Sequence, residues 1–225
     1  MERVRQVGRM VREGRGRVLM DVLRERWASR RLSYGLRRDL AVPFPAPAAR
    51  VPVTIRPLRD SDVPALLALD APGLDEAARD ERRTRLDMIA AGLHMPYVAV
   101  TAGDRPCYMQ WLLGPEENER VEAFFHGIFP RLAADEALLE GAFTPEEFRG
   151  QGIMAAAMAQ LAELAGPLGA RWVVTFVTAD NLPSLKGCKR AGFAPYLTRE
   201  ESWQQFRRRL AFTPLPPGTP YPFEA

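Results

Sequence analysis

The stretch Arg149-Gly150-Gln151-Gly152-Ile153-Met154 decides the reading of this chain. It joins an apolar strand-like run, Glu136 to Phe143, to an alanine-rich run that reads as helix to about Ala165. Glycine is entropically costly, so a pair of them at a strand-to-helix junction marks a backbone that turns tightly or lies against a ligand. The first N–H groups of the following helix have no partner of their own, and they sit at the positive end of the helix dipole. Such a junction reads as a cradle for a pyrophosphate.

Glycine-rich cradles differ in what accompanies the glycines. The dinucleotide fingerprint needs a third glycine and an acidic residue roughly 20 positions on, and the nucleoside-triphosphate loop needs Gly-Lys-Ser/Thr. Neither pattern is here. The stretch instead resembles the acyl-CoA loop of the GNAT superfamily of N-acetyltransferases, Gln/Arg-x-x-Gly-x-Gly/Ala, at Arg149 and Gly152. Met154 stands where that pattern has a small residue. Downstream, Asn181-Leu182-Pro183-Ser184 followed by Ala191-Gly192-Phe193 resembles the family's Asn-x-x-Ser/Ala and Gly-Phe segment. Asparagine both donates and accepts, which suits an amide-bearing pantetheine arm, and a serine hydroxyl at a helix start suits a phosphate. The same two residues serve equally well as caps of the helix they begin.

The resemblance covers about residues 53–212 and implies an α/β (α+β) domain of the GNAT acyl-CoA N-acyltransferase fold, with a mixed central sheet flanked by helices. It implies acetyl-CoA as co-substrate and no metal. Ala142, Phe143 and Thr144 would lie along the pantetheine, with backbone amides around Ala142 and Phe143 pairing with it. Arg149, Gly150, Gln151, Gly152, Ile153 and Met154 would hold the pyrophosphate, and Asn181 and Ser184 would flank the arm. The implied reaction moves an acetyl group to a primary amine of a small molecule, sugar or peptide. Two other readings fit the same residues: transfer of a longer acyl or an aminoacyl group, and acyl-CoA binding without turnover.

Such a transfer needs a neutral amine, a polarised thioester carbonyl and a proton for the departing thiolate. Glu136 and Glu140 lie on one strand at even spacing, so both project from the same face. Either is a candidate base, and either is as readily a salt-bridged or exposed carboxylate. Glu136 falls near where some protein-acetylating relatives carry a glutamate. Glu140 is nearer the glycine loop and follows Leu138-Leu139, which favours a raised pKa. The family's usual acid is a tyrosine four residues before Gly-Phe, and that position is Cys188, a thiol that either returns a proton or fills core space. Tyr108 and Tyr196 are the substitute hydroxyls.

At 225 residues, 47% of them hydrophobic, the chain suits one domain with an extension. Its apolar runs, such as Trp172 to Val177, are strand-length, so no transmembrane helix or secretory signal is expected. Cys107 and Cys188 form no metal-ligand spacing, and His94 and His126 are the only histidines, so no zinc cluster is expected. A reducing cytoplasm is the natural compartment, and no specific nucleic-acid partner is expected.

Net charge is +3, but residues 1–40 hold twelve arginines against five acidic residues. There Val4, Val7, Val11, Val18 and Val22 recur near the helical period, with Leu19, Leu23 and Trp27 widening the stripe. This predicts a basic amphipathic helical arm over 1–40, weakened by Gly8, Gly14 and Gly16. Such an arm rests on anionic lipid, on its own domain, or on a second subunit in a homodimer. Pro43, Pro45 and Pro47 then predict a semi-rigid linker over 41–52. The domain follows over 53–213, and a proline-rich tail over 214–225. Within the domain the expected order is strand, two helices, three strands, helix, strand, helix and two strands, with no dominant period from Glu116 to Pro130.

Overall fold

The computed structural model describes Met20, Leu23, Arg24, residues 26–94 and residues 96–224. Its strands are β1 (Ala28–Asp39), β2 (Thr54–Pro57), β3 (Tyr97–Val100), β4 (Pro106–Leu113), β5 (Glu136–Phe143), β6 (Trp172–Thr178), β7 (Ala194–Gln204) and β8 (Arg207–Pro214). They form one mixed sheet in the order β2-β3-β4-β5-β6-β1-β7-β8, in which only β5 and β6 run parallel. The helices are α1 (Val63–Leu67), α2 (Glu76–Ala90), α3 (Asn118–Phe125), α4 (Ile153–Ala165) and α5 (Leu182–Arg190).

Two cores lie on the two faces of the sheet. Leu66, Leu67, Met88 and Val121 bring α1, α2 and α3 onto a face made by Val98, Met109, Trp111 and Leu138. On the other face α4 buries Ile153, Ala157, Met158 and Leu161 beside Leu185 and Cys188 of α5. Six alanines of α4, at 155, 156, 157, 159, 162 and 165, are all buried. Small side chains there let the helix backbone lie close to the sheet, which fixes where its N-terminus points.

The expected helical arm is corrected from Ala28 onward. Met20, Leu23, Arg24, Arg26 and Trp27 are helical, whereas Val4, Val7, Val11, Val18, Leu19 and Val22 lie outside the described residues. Residues 28–39 instead form a strand paired on both sides, with β6 and with β7, so it occupies the interior of the sheet. Leu36 is completely buried. Gly35 permits this: a Cβ there would stand 2.6 Å from Leu197 Cδ1, at the point where the register with β7 shifts. Nor are the arginines all solvated. Arg38 is buried, donates to the Ala159 carbonyl at 3.1 Å and pairs with Glu163 on α4.

Residues 41–52 hold no helix or strand, yet they are strapped to the domain. Phe44 packs over Gly192, and the Arg50 N–H donates to the Gln151 carbonyl at 2.8 Å. The tail is strapped as well. Tyr221 is buried and donates its hydroxyl to the Phe193 carbonyl at 2.7 Å, and Glu224 pairs with Lys189.

Candidate active site

β5 and β6 pair only through Glu136, Ala137 and Leu138, opposite Trp172, Val173 and Val174. Past Leu138 the two parallel strands separate, which frees one edge of β5. A bulge in the β4–β5 ladder helps to turn that edge. The register shifts between Met109 and Trp111, and Gly141 takes φ +69° with the Trp111 ring 2.7 Å from where a Cβ would be. Only glycine satisfies both the left-handed backbone and that close ring.

The glycine loop lies directly beyond this edge. Gly150 and Gly152 adopt φ +73° and +78°, and Gly152 is the residue before α4. The first inward helical bond runs from the Ala156 N–H to the Gly152 carbonyl, and the amides that start an α-helix have no acceptor within it. A cleft of about 620 Å³ opens over these amides. Of the residues expected to hold the cofactor, Ala142, Thr144, Arg149, Gly150, Gly152, Ile153, Met154, Asn181 and Ser184 line it.

Phe143 and Gln151 do not line the cleft. The Phe143 side chain is buried among the α1–α3 core, and Gln151 turns away, its Nε2 donating to the Glu147 carbonyl at 2.9 Å. Asn181 also has a structural task, since its side-chain oxygen accepts from the Ser184 N–H at 3.2 Å and caps α5. Met154, large where the resemblance has a small residue, is accommodated by Gly187 on α5, where a Cβ would come within 3.1 Å of the Met154 sulfur. The small residue has moved to the opposite helix.

Sequence reasoning missed several wall residues. Lys186 and Arg190, one turn apart on α5, line the cleft with Arg149 and give it three cations against one carboxylate, Glu81. Their four-residue spacing just after Asn181 was the available signal. Arg85 of α2 donates its Nη2 to the Ala142 carbonyl at 3.0 Å, holding the free end of β5 in place. No local pattern could have shown that contact.

The candidate acid–base groups separate clearly. Glu136 and Glu140 are four residues apart on β5, about 13 Å along the strand, so one group alone can serve a given reacting centre. Glu136 sits at the closed, paired end, and its carboxylate accepts from the Ala133 N–H at 2.9 Å. Glu140 is half-buried where the strands part and, like Glu136, is not among the residues that line the cleft. Burial raises its pKa, while the Gly141 N–H and the charges of Arg85 and Arg199 pull the other way. Cys188 does not line the cleft. It is buried against the Met158 sulfur, and its thiol is pushed up to about 12, chiefly by burial. Tyr196 lines a different cavity. Tyr108 is the candidate hydroxyl that lines the cleft, where it donates to the Gln110 side chain at 2.7 Å, and burial holds it neutral far above the usual phenol range. Among the described residues there is no group of three or more His, Cys, Asp or Glu arranged to hold a metal, and no described helix is long and apolar enough to cross a membrane.

An open strand edge, a positive-φ glycine loop and a helix N-terminus facing one cleft define an acyl-CoA-type fold, and the comparisons agree. The Acetyltransferase (GNAT) family matches residues 80–193, just over half of the chain, so the chain belongs to that family. No curated protein matches at a significant level. Among solved structures, the chain is similar to the GCN5-related glucosamine N-acetyltransferase region of a fungal multi-domain GH3 β-N-acetylglucosaminidase, with a TM-score of 0.56, 15% identity, 83% of this chain covered and 22% of that one. It is similar to a functionally unknown conserved protein from Staphylococcus epidermidis, with a TM-score of 0.50, 12% identity, and 84% and 67% of the two chains covered. A GCN5-related N-acetyltransferase from Sphaerobacter thermophilus aligns over 89% of this chain at 15% identity and a TM-score of 0.47. The chain spans 57% of that protein's length. At these identities the likeness is one of fold.

Proposed function

We propose that the protein transfers an acetyl group from acetyl-CoA to a primary amine of a small molecule, sugar or peptide. One observation carries this reading: the edge of β5 freed beyond Leu138 ends at Gly150 and Gly152, so one extended ligand can pair with the strand and place its pyrophosphate on the amides that begin α4. Arg149, Lys186 and Arg190 add positive charge along the same wall.

Glu140 is the base. It lies where the strands part, and a carboxyl with a raised pKa is better matched to an ammonium at neutral pH. The freed amine attacks the thioester carbonyl carbon, the carbon–sulfur bond breaks, and the thiolate leaves into the cleft that Tyr108 helps to line. The proton released by the amine ultimately neutralises the thiolate. Much of the acceleration comes from holding the two reactants together. The burial of Cys188 is consistent with a thiol that fills core space.

Calorimetry with CoA, followed by thiol release from acetyl-CoA with a panel of primary amines that includes glucosamine, tests the proposal. Binding together with amine-dependent release supports it. Binding without release from any amine would make the protein an acyl-CoA-binding module, and absence of CoA binding would refute the cleft assignment.

A further inference from the structure

A second cavity of about 330 Å³ lies at the closed end of the β5–β6 pair and shares no lining residue with the acyl-CoA cleft. Its walls are largely apolar. Val42, Phe44, Leu215 and Pro217 come from the strapped segments before β2 and after β8, and Trp172 and Tyr196 come from β6 and β7.

Three charged side chains reach this cavity, and two of them are engaged. Arg38 is spent on Glu163 and the Ala159 carbonyl. Asp39 pairs with Arg171 at 3.3 Å and accepts from the Ala41 N–H at 3.0 Å, with its pKa held low first by the Arg171 hydrogen bond. Arg37 is different. Its guanidinium carbon lies 4.3 Å from the Trp172 ring centroid and 5.2 Å from that of Tyr196. Among the described residues its N–H groups have no hydrogen-bond acceptor or ion-pair partner. Stacking uses the face of a guanidinium and leaves its N–H rim available, and that rim matches a carboxylate in bidentate geometry.

We propose that this cavity binds a small carboxylate with an apolar body. One uncommitted cation calls for one negative charge, and the aromatic and proline walls call for an apolar remainder. The volume is that of about eleven liquid-water molecules, which suits a ligand of roughly ten non-hydrogen atoms. Asp39 does not repel such a ligand strongly, because Arg171 neutralises it. The site stands apart from the acyl-transfer reading, since it uses none of the same residues.

The test titrates the full chain with phenylacetate, hexanoate and indole-3-acetate by ligand-observed NMR and thermal shift, with phenylacetamide and phenethylamine as neutral and cationic counterparts. Saturable binding of a carboxylate, with no binding of the amide or amine, is expected. Arg37→Met keeps the apolar stem and should weaken that binding at least about tenfold. Val42, 60% exposed, sits at the rim, so Val42→Trp should block entry without disturbing the core, which keeps the test decisive if Arg37→Met loses stability. Both variants should keep wild-type CoA affinity. Failure of all three carboxylates to bind, equal binding of the amide, or unchanged carboxylate binding in both variants would overturn the proposal.

Discussion

Gly150 and Gly152 offer a matched pair that separates backbone strain from ligand contact. Both have positive φ, +73° and +78°, so valine at either position forces an L-residue into the left-handed region. That costs about 1–2 kcal/mol each, and somewhat more for a β-branched side chain. For a chain of this size each kcal/mol lowers Tm by roughly 2–4 °C, so the two variants should melt a few degrees below wild type and close to one another. Their surroundings differ. Nothing lies within 4 Å of a Cβ at Gly150, whereas a Cβ at Gly152 stands 3.3 Å from Arg190 Nη2 and 3.6 Å from Ala49 Cα, beside the first amides of α4. A valine at 152 should therefore displace the pyrophosphate. Loss of two charge-assisted hydrogen bonds at about 1.5–3 kcal/mol each predicts a fall in CoA affinity of roughly 10²–10⁴-fold. Gly150→Val should lose far less. Calorimetry with CoA and thermal melts of the two variants give both quantities, and unchanged CoA affinity in folded Gly152→Val would refute the cradle.

Five further outcomes are expected. Glu140→Gln should lower kcat by roughly 10²–10⁴-fold while sparing CoA affinity; full turnover in a neutral-pH assay would place the base elsewhere. The same variant should also be more stable than wild type at pH 8 but not at pH 4. A carboxyl whose folded pKa is raised holds its proton when the unfolded chain has released it, so stability falls as pH rises above the ordinary value of 4.5, and glutamine escapes that loss. Leu36→Ala should cost about 2–5 kcal/mol in denaturant melts, as befits a fully buried leucine on an interior strand, and removal of residues 1–40 should prevent folding by removing β1. Gly187→Ala should be stabilising in a Met154→Ala background, by up to about 1 kcal/mol of helix propensity, but not in wild type, where the new methyl meets the Met154 sulfur at 3.1 Å; additive effects in the double-mutant cycle would show that the two helices do not depend on this size exchange.

From Val53 onward the order of elements was legible except for α3 (Asn118–Phe125), which falls where the sequence shows no dominant period. Gly150 and Gly152 were legible because their backbone angles need glycine, whatever the rest of the chain does. Asn181 and Ser184 were legible as a pair, and the structure gives them both readings at once, cap and cleft wall. The residues that sequence left out depend on distant partners. Arg85 meets Ala142 across 57 positions.

β1 shows most clearly why. Leu32-Ser33-Tyr34-Gly35-Leu36-Arg37-Arg38 lacks the clean apolar alternation of a half-buried strand, and its arginines read as solvent-facing. Strand character here is conferred by pairing: β6 begins 133 positions after β1 ends, β7 lies further on, and together they supply acceptors and donors on both edges. A polar segment in that position must satisfy its buried cation, and Arg38 finds the equally remote Glu163, while half-buried Arg37 only stacks its face on the Trp172 and Tyr196 rings. The same insertion brings residues 40–52 back across the domain, where Ala49 and Arg50 touch the glycine loop and Phe44 covers Gly192. A segment that sequence placed outside the domain thus shapes its sheet, touches the glycine loop through Ala49 and Arg50 and walls its second cavity, so changes at Ala49 and Arg50, unlike those at Arg37 and Val42, should register in CoA binding as well as in stability.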